Sequence, residues 1–201
     1  MNEIGQNIYP VSGKGNANPG GWNSNHPLFA DILKWYDSPT IIEVGTWLGA
    51  SAIHMGNIIK TGKIYCVDTW LGSLEFWTTH RQTPERNLML KNGYPQVYYQ
   101  FIRNVQAAKL EHLITPVPMP SLQAAQYFKQ MEIQADVIYI DASHEQDDVK
   151  RDILAYLPLL KPGGVIFGDD YTSFSGVAIA VKEVFGEMFQ VIDNNFWMHR
   201  K

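Results

Sequence analysis

An α/β fold, with a mostly parallel sheet covered by helices on both faces, is the architecture this sequence predicts. Three observations predict it. Short β-branched or apolar runs alternate with segments of helical spacing at least five times. Polar residues stand just past several of those runs, where parallel sheets bind their ligands. The 201 residues are 45% hydrophobic and 18% charged, enough to bury a substantial core in one domain.

Residues 1–26 are rich in Gly, Asn, Ser and Pro and read as a loop or arm. Pro27 to Trp35 carries apolar residues at helical spacing. We therefore divide the chain into an arm and short helix over 1–37, able to act as a lid, and a main domain over 38–201. That domain opens with a strand from Thr40 to Val44, a helix over about 50–60, and a second strand from Lys63 to Val67 that ends at Asp68. Residues 69–96, punctuated by Gly72, Pro84, Gly93 and Pro95, read as a long irregular insertion, of the kind that is usually functional. A helix over 97–108, a strand over 113–117, a helix over 122–130 and a strand over 136–140 follow. A helix over about 145–159, the turn Lys161-Pro162-Gly163-Gly164, a strand over 165–168 and a helix over 177–185 come next. Two strands, 189–192 and 196–199, close the chain.

The bulk numbers exclude several function classes. A net charge of −4 argues against a protein whose main task is gripping nucleic acid. The single cysteine, Cys66, excludes an internal disulfide framework and a multi-cysteine zinc site, and reads as a buried strand residue. The first 25 residues hold no apolar stretch fit for a signal peptide or membrane span, so a cytoplasmic location is the expectation.

The strand ends carry the chemistry. After the first strand the chain reads Glu43-Val44-Gly45-Thr46-Trp47-Leu48-Gly49-Ala50-Ser51. Glycines at 45 and 49 let the backbone turn sharply beside a ligand, and the following helix offers free amides. This is neither a P-loop nor G-x-G-x-x-G. Asp68, an acid ending strand two, suits the hydroxyls of a ribose, or else caps a turn.

Taken together, these residues resemble the class I S-adenosylmethionine-dependent methyltransferases, over roughly residues 38–201. Glu43-x-Gly45-x-x-x-Gly49 is similar to their first motif, and Asp68 stands where their ribose-binding acid does. Met119-Pro120-Ser121 falls at their adenine pocket, Asp141 at the motif after strand four, and Leu160-Lys161-Pro162-Gly163-Gly164 at the turn before strand five. Trp47 departs from the pattern, since many members carry a middle glycine. The resemblance implies a Rossmann-like fold with a seven-stranded sheet, S-adenosylmethionine as cofactor, and Glu43, Gly45, Thr46, Trp47, Gly49, Ser51, Asp68, Met119, Ser121 and Asp141 as its binding residues.

Asp141 ends strand four, and Asp169 and Asp170 end strand five. In this family those strands are neighbours, about 4.8 Å apart, so the acids converge. Converging carboxylates repel unless a cation lies between them, and hard oxygen ligands suit Mg²⁺. Ile-Asp-x-x-His and Gly-Asp-Asp-Tyr resemble motifs of the metal-dependent macrocin O-methyltransferase and cephalosporin-hydroxylase-like group. That likeness implies Asp141, Asp169 and Asp170 as metal ligands. His144, three residues after Asp141, has a suitable ordinary pKa for a general base, a role Asp141 itself also fits. Glu145, Asp147 and Asp148 read as acids at a helix start.

The aromatics Trp70, Phe76, Trp77 and Tyr94, with His80 and Arg81, populate the insertion, and Trp22 sits in the arm. They read either as a satellite core or as a lid over an acceptor ring. The expectation is O-methylation of a small hydroxylated molecule, a sugar or secondary metabolite, with no nucleic acid or membrane partner and with monomer and homo-oligomer both open. Three alternatives stand beside it. One is a methyltransferase without metal. Another is a nucleotide binder without turnover, disfavoured by the acid triad. The third, an NAD-dependent dehydrogenase, is disfavoured because the chain has no Tyr-x-x-x-Lys pair.

Overall fold

A computed structural model describes residues 8–9, 16–78 and 84–201. Seven strands form one sheet in the order β3-β2-β1-β4-β5-β7-β6. They are β1 (Thr40–Val44), β2 (Lys63–Asp68), β3 (Ile114–Pro118), β4 (Ala135–Ile140), β5 (Leu160–Gly168), β6 (Gln190–Ile192) and β7 (Phe196–Arg200). The first five are parallel, and β7 runs antiparallel to both β5 and β6.

Alternation along the strands explains why both faces are covered. Ile41 and Val137 point into one core, while their neighbours Ile42 and Ile138 point into the other. The first core is closed by α1 (Pro27–Leu33), α2 (Ala50–Ile58) and α5 (Val97–Ala108), through Phe29, Met55, Phe101 and Val105. The second is closed by α6 (Ser121–Gln130), α7 (Gln146–Tyr156) and α8 (Ser175–Phe185), through Phe128, Ile153, Tyr156 and Val181. Fully burying side chains of this size stabilises by roughly 1.5–3 kcal/mol each before entropy is counted. Phe29 anchors α1 by edge-to-face contacts with Tyr139 and Phe167, at 5.1 and 5.4 Å between ring centroids.

Two expectations are corrected. The insertion is not wholly irregular: it contains the short helices α3 (Leu74–Thr78) and α4 (Pro84–Asn87), and a bridge between Lys91 and Tyr94. Residues 161–164 lie within β5, whose register shifts between Ala135 and Val137 of the partner strand, so the Pro-Gly-Gly turn is a bulge at the strand's start. His80 and Arg81 lie outside the described residues. No described helix is long and apolar enough to cross a membrane.

Candidate functional site

The sheet reverses its order between β1 and β4, which creates a crevice at their carboxyl ends. The chain leaving β1 stays close to the chain leaving β4: the Asp141 amide donates to the Val44 carbonyl at 2.8 Å. Gly45 has a φ of +88°, and a Cβ there would collide with the Asp141 carbonyl oxygen. Only glycine suits both conditions. Trp47, at the position noted as unusual, adopts a φ of +51°, which costs a bulky residue strain. Two contacts hold it there. Its ring stacks on Phe76 at 4.6 Å, and its carbonyl accepts the Trp70 indole N–H at 2.8 Å.

Beneath this loop Glu43 of the first motif and Asp68 at the end of β2 both accept hydrogen bonds from the chain itself. Glu43 is fully buried and accepts the hydroxyls of Thr46 and Ser51 and, at 3.5 Å, the Cys66 thiol. Burial pushes its carboxyl up to about 7 despite those donors. Asp68 accepts the amides of Thr46 at 3.1 Å, Trp47 at 2.8 Å and Trp70 at 2.7 Å. Burial raises its pKa against the pull of those amides. Thr46 and Ser51 therefore direct their hydroxyls at Glu43, below the loop. Gly49 stands at the N-cap of α2 with a φ of +85°. Met119 packs against the second core. The Ser121 hydroxyl turns to Asp152 on α7, and its carbonyl accepts the Tyr156 hydroxyl at 2.8 Å.

The second half of the crevice is built differently. Asp141, His144 and Asp170 each offer one ligand atom, all within 4.8 Å of one another. His144 Nε2 lies 3.0 Å from Asp170 Oδ2, and its ring stacks on Phe174 at 3.8 Å and 11°. Asp170 has a φ of +64°, a conformation that keeps its side chain beside the histidine at some backbone cost. Asp141 accepts the Tyr139 hydroxyl at 2.9 Å. Its carboxyl is pushed up to about 7, first by burial and next by the charge of Asp169, with a smaller push from Asp170. All three predicted carboxylates thus act on one another, although Asp169 lies outside the tight group. It is 5% exposed and accepts hydrogen bonds from Asn23, Asn195 and the Asp170 amide.

Glu145 precedes α7, and Asp147 and Asp148 occupy its first turn, as expected of acids meeting a helix dipole. Sequence reasoning missed Asn23, Asn195, Phe174 and Tyr139. The two asparagines lie in turn-rich segments, where asparagine is common and carries no signal. Of the insertion aromatics, Trp70 is 2% exposed and belongs to the core, while Trp77 and Tyr94 are 42% and 62% exposed. Trp22 in the arm is 71% exposed.

A family described as a methyltransferase domain matches residues 42–171. No curated protein matches the chain. Among solved structures, the O-methyltransferase from Bacillus cereus in complex with SAH aligns with a TM-score of 0.61 at 16% identity, covering 90% of this chain and 81% of that one. The O-methyltransferase TomG from Streptomyces achromogenes, involved in tomaymycin synthesis and solved with SAM, aligns at 0.60 and 14% identity, over 90% and 80% of the two chains. CalS11, a TDP-rhamnose 3'-O-methyltransferase of calicheamicin biosynthesis, aligns at 0.59 and 16% identity, over 88% and 77%. At these identities the likeness fixes the fold.

Proposed function

The chain belongs to the methyltransferase domain family, and from that premise we propose that it is a metal-dependent O-methyltransferase, transferring the methyl group of S-adenosylmethionine to a small hydroxylated molecule. One observation carries the metal-dependent part. Asp141 and Asp170 lie within 4.8 Å of each other and of His144, Asp169 adds its charge from beside them, and among the described ion pairs none of the three acids meets a lysine or arginine. Buried acids so placed either take up protons or share a cation. The three proposed ligands offer hard carboxylate oxygens, which fit Mg²⁺ or a similar ion.

In this reading Gly45, Thr46, Trp47 and Gly49 form the wall against which the cofactor lies. Asp68 pins that wall and carries the ribose, and Met119 flanks the adenine. Glu43 and Ser51 act from beneath, keeping the loop's shape. Asp141, Asp169 and Asp170 would hold the cation. When bound, it would orient an acceptor hydroxyl and make it easier to deprotonate. His144 takes the proton, and its contact with Asp170 stabilises the imidazolium that results. Phe174 fixes the plane of the ring. The likeness to CalS11, whose name specifies a sugar hydroxyl, supports a hydroxylated ring as acceptor, with the exposed Trp22, Trp77 and Tyr94 available for stacking. Residues 1–37 serve as the arm and 38–201 as the catalytic domain.

The proximity of His144 to Asp141 and Asp170 favours a second reading of one detail, in which His144 is itself a ligand. Chelation tests the main proposal. With a sugar or phenolic acceptor panel, EDTA should abolish methyl transfer from S-adenosylmethionine and Mg²⁺ should restore it. Turnover indifferent to EDTA would leave a methyltransferase whose acids only position the acceptor.

A further inference from the structure

We propose that Asn23, in the N-terminal arm, is a positioning residue of the methyl-transfer site: its side-chain amide orients Asp169 for cation binding. The inference rests on the metal-dependent reading above.

The hydrogen bonds of Asp169 divide its two oxygens. Oδ1 accepts the Asp170 amide at 2.7 Å and the Asn195 side-chain amide. Oδ2 accepts the Asn23 Nδ2–H at 3.1 Å. A carboxylate oxygen has two lone pairs. The described bonds therefore fill Oδ1 and leave Oδ2 one lone pair, so the carboxylate cannot rotate without breaking a bond on each side. Both side-chain donors are neutral. Lysine or arginine in their place would cancel the charge a cation needs, whereas an amide aims the carboxylate and leaves its charge intact. Partners of this type commonly change metal affinity by about 10–100-fold.

The arm is fastened so that Asn23 stays in reach. Asn18 exchanges two hydrogen bonds with Asn104, which is 1% exposed and also donates to the Leu48 carbonyl of the glycine loop at 2.8 Å. Gly21 presses on the start of α2, where an added Cβ would lie 2.7 Å from Ala50. On the other side, His26 caps α1 and lies 3.1 Å from Asp193, beside the turn that supplies Asn195. Between these anchors Asn23 takes a φ of +49°, which asparagine tolerates better than most residues. The arm thus joins the cofactor loop at one end to a proposed metal ligand at the other.

The test is Asn23→Gly, which keeps the backbone conformation accessible and removes only the amide. Asn23 is exposed, and the core is untouched by the change. Mg²⁺ is titrated calorimetrically into the full chain saturated with S-adenosylhomocysteine. The variant should bind Mg²⁺ about 10–100-fold more weakly. Its S-adenosylhomocysteine affinity should stay within about twofold, and its kcat should recover as Mg²⁺ is raised, which a merely structural role would not produce. An unchanged Mg²⁺ affinity, with or without a lower melting temperature, overturns the proposal alone. A wild-type chain that neither binds Mg²⁺ nor responds to EDTA overturns the metal-dependent reading, and this one with it.

Discussion

The two halves of the crevice treat buried acids in opposite ways. At the ends of β1 and β2, Glu43 and Asp68 face hydroxyls and backbone amides, and those donors come from the loop the acids support. At the ends of β4 and β5, Asp141 and Asp170 face each other and a histidine, with Asp169 close enough to push Asp141 upward. The first half draws its donors from the chain, and its acids shape a surface. In the second, no described ion pair joins these acids to a lysine or arginine, and on the proposed reading a cation supplies the positive charge. Burial alone does not separate these roles, since Glu43 and Asp141 are both pushed to about 7. What separates them is the identity of the neighbours.

The strongest way to break this contrast is Asp141→Asn. Activity should fall by roughly 10²–10⁴-fold, the range associated with losing a positioned acid or base. Stability should move the other way. With one of the repelling carboxylates gone, the metal-free chain should melt a few degrees higher above pH 7, a gain of about 1 kcal/mol corresponding to roughly 2–4 °C at this size. A variant that loses activity and stability together would place Asp141 in the same class as Glu43.

His144→Gln sharpens the same half. As a base, His144 should cost about 10²-fold in kcat, with Mg²⁺ affinity nearly unchanged. As a ligand, its loss should weaken Mg²⁺ binding in calorimetry, and added Mg²⁺ should recover part of the rate.

Acidity divides the halves again. A carboxyl whose folded pKa is raised stabilises the fold fully below its unfolded pKa, and that contribution is lost as pH rises through the folded value. Glu43, raised from 4.5 to about 7, and Asp141, raised from 3.8 to about 7, both act in this direction. In EDTA the melting temperature should therefore fall between pH 4.5 and 7, by roughly 10–20 °C if both shifts operate in full. Saturating Mg²⁺ should recover the Asp141 share of that loss and leave the Glu43 share in place. A pH profile indifferent to Mg²⁺ would mean that no cation meets Asp141.

The same contrast explains what the sequence made legible. The strand–helix alternation, the glycine loop and the acids at four strand ends were readable because each is a local pattern. Asp141 and Asp169 could be paired because parallel neighbours align their ends. The bonds that decide roles were not readable. Nothing near Ser51 says that its hydroxyl serves Glu43, and nothing near Asn23 points to a residue 146 positions away. Trp70 looked like any lid aromatic; only its burial against Tyr98 and Phe101 makes it core. The insertion's short helices escaped notice because four- and five-residue helices have too few turns to show a period.

Ser121 gives the smallest test. Resemblance assigned it to the adenine pocket, yet its hydroxyl donates to Asp152, a residue 5% exposed and raised by burial to about 6. If Ser121 serves packing between α6 and α7, Asp152→Asn should preserve it, because an amide oxygen accepts the same hydroxyl. Asp152 is raised from 3.8, so its stabilising share is present below about pH 4 and gone above pH 6. The variant should match wild type at pH 4 and melt roughly 5–10 °C higher at pH 8. S-adenosylhomocysteine affinity should change by less than about twofold. A tenfold loss would show that the cofactor feels Ser121 through Asp152, and would extend the hydrogen-bonded scaffold of the first half past β3.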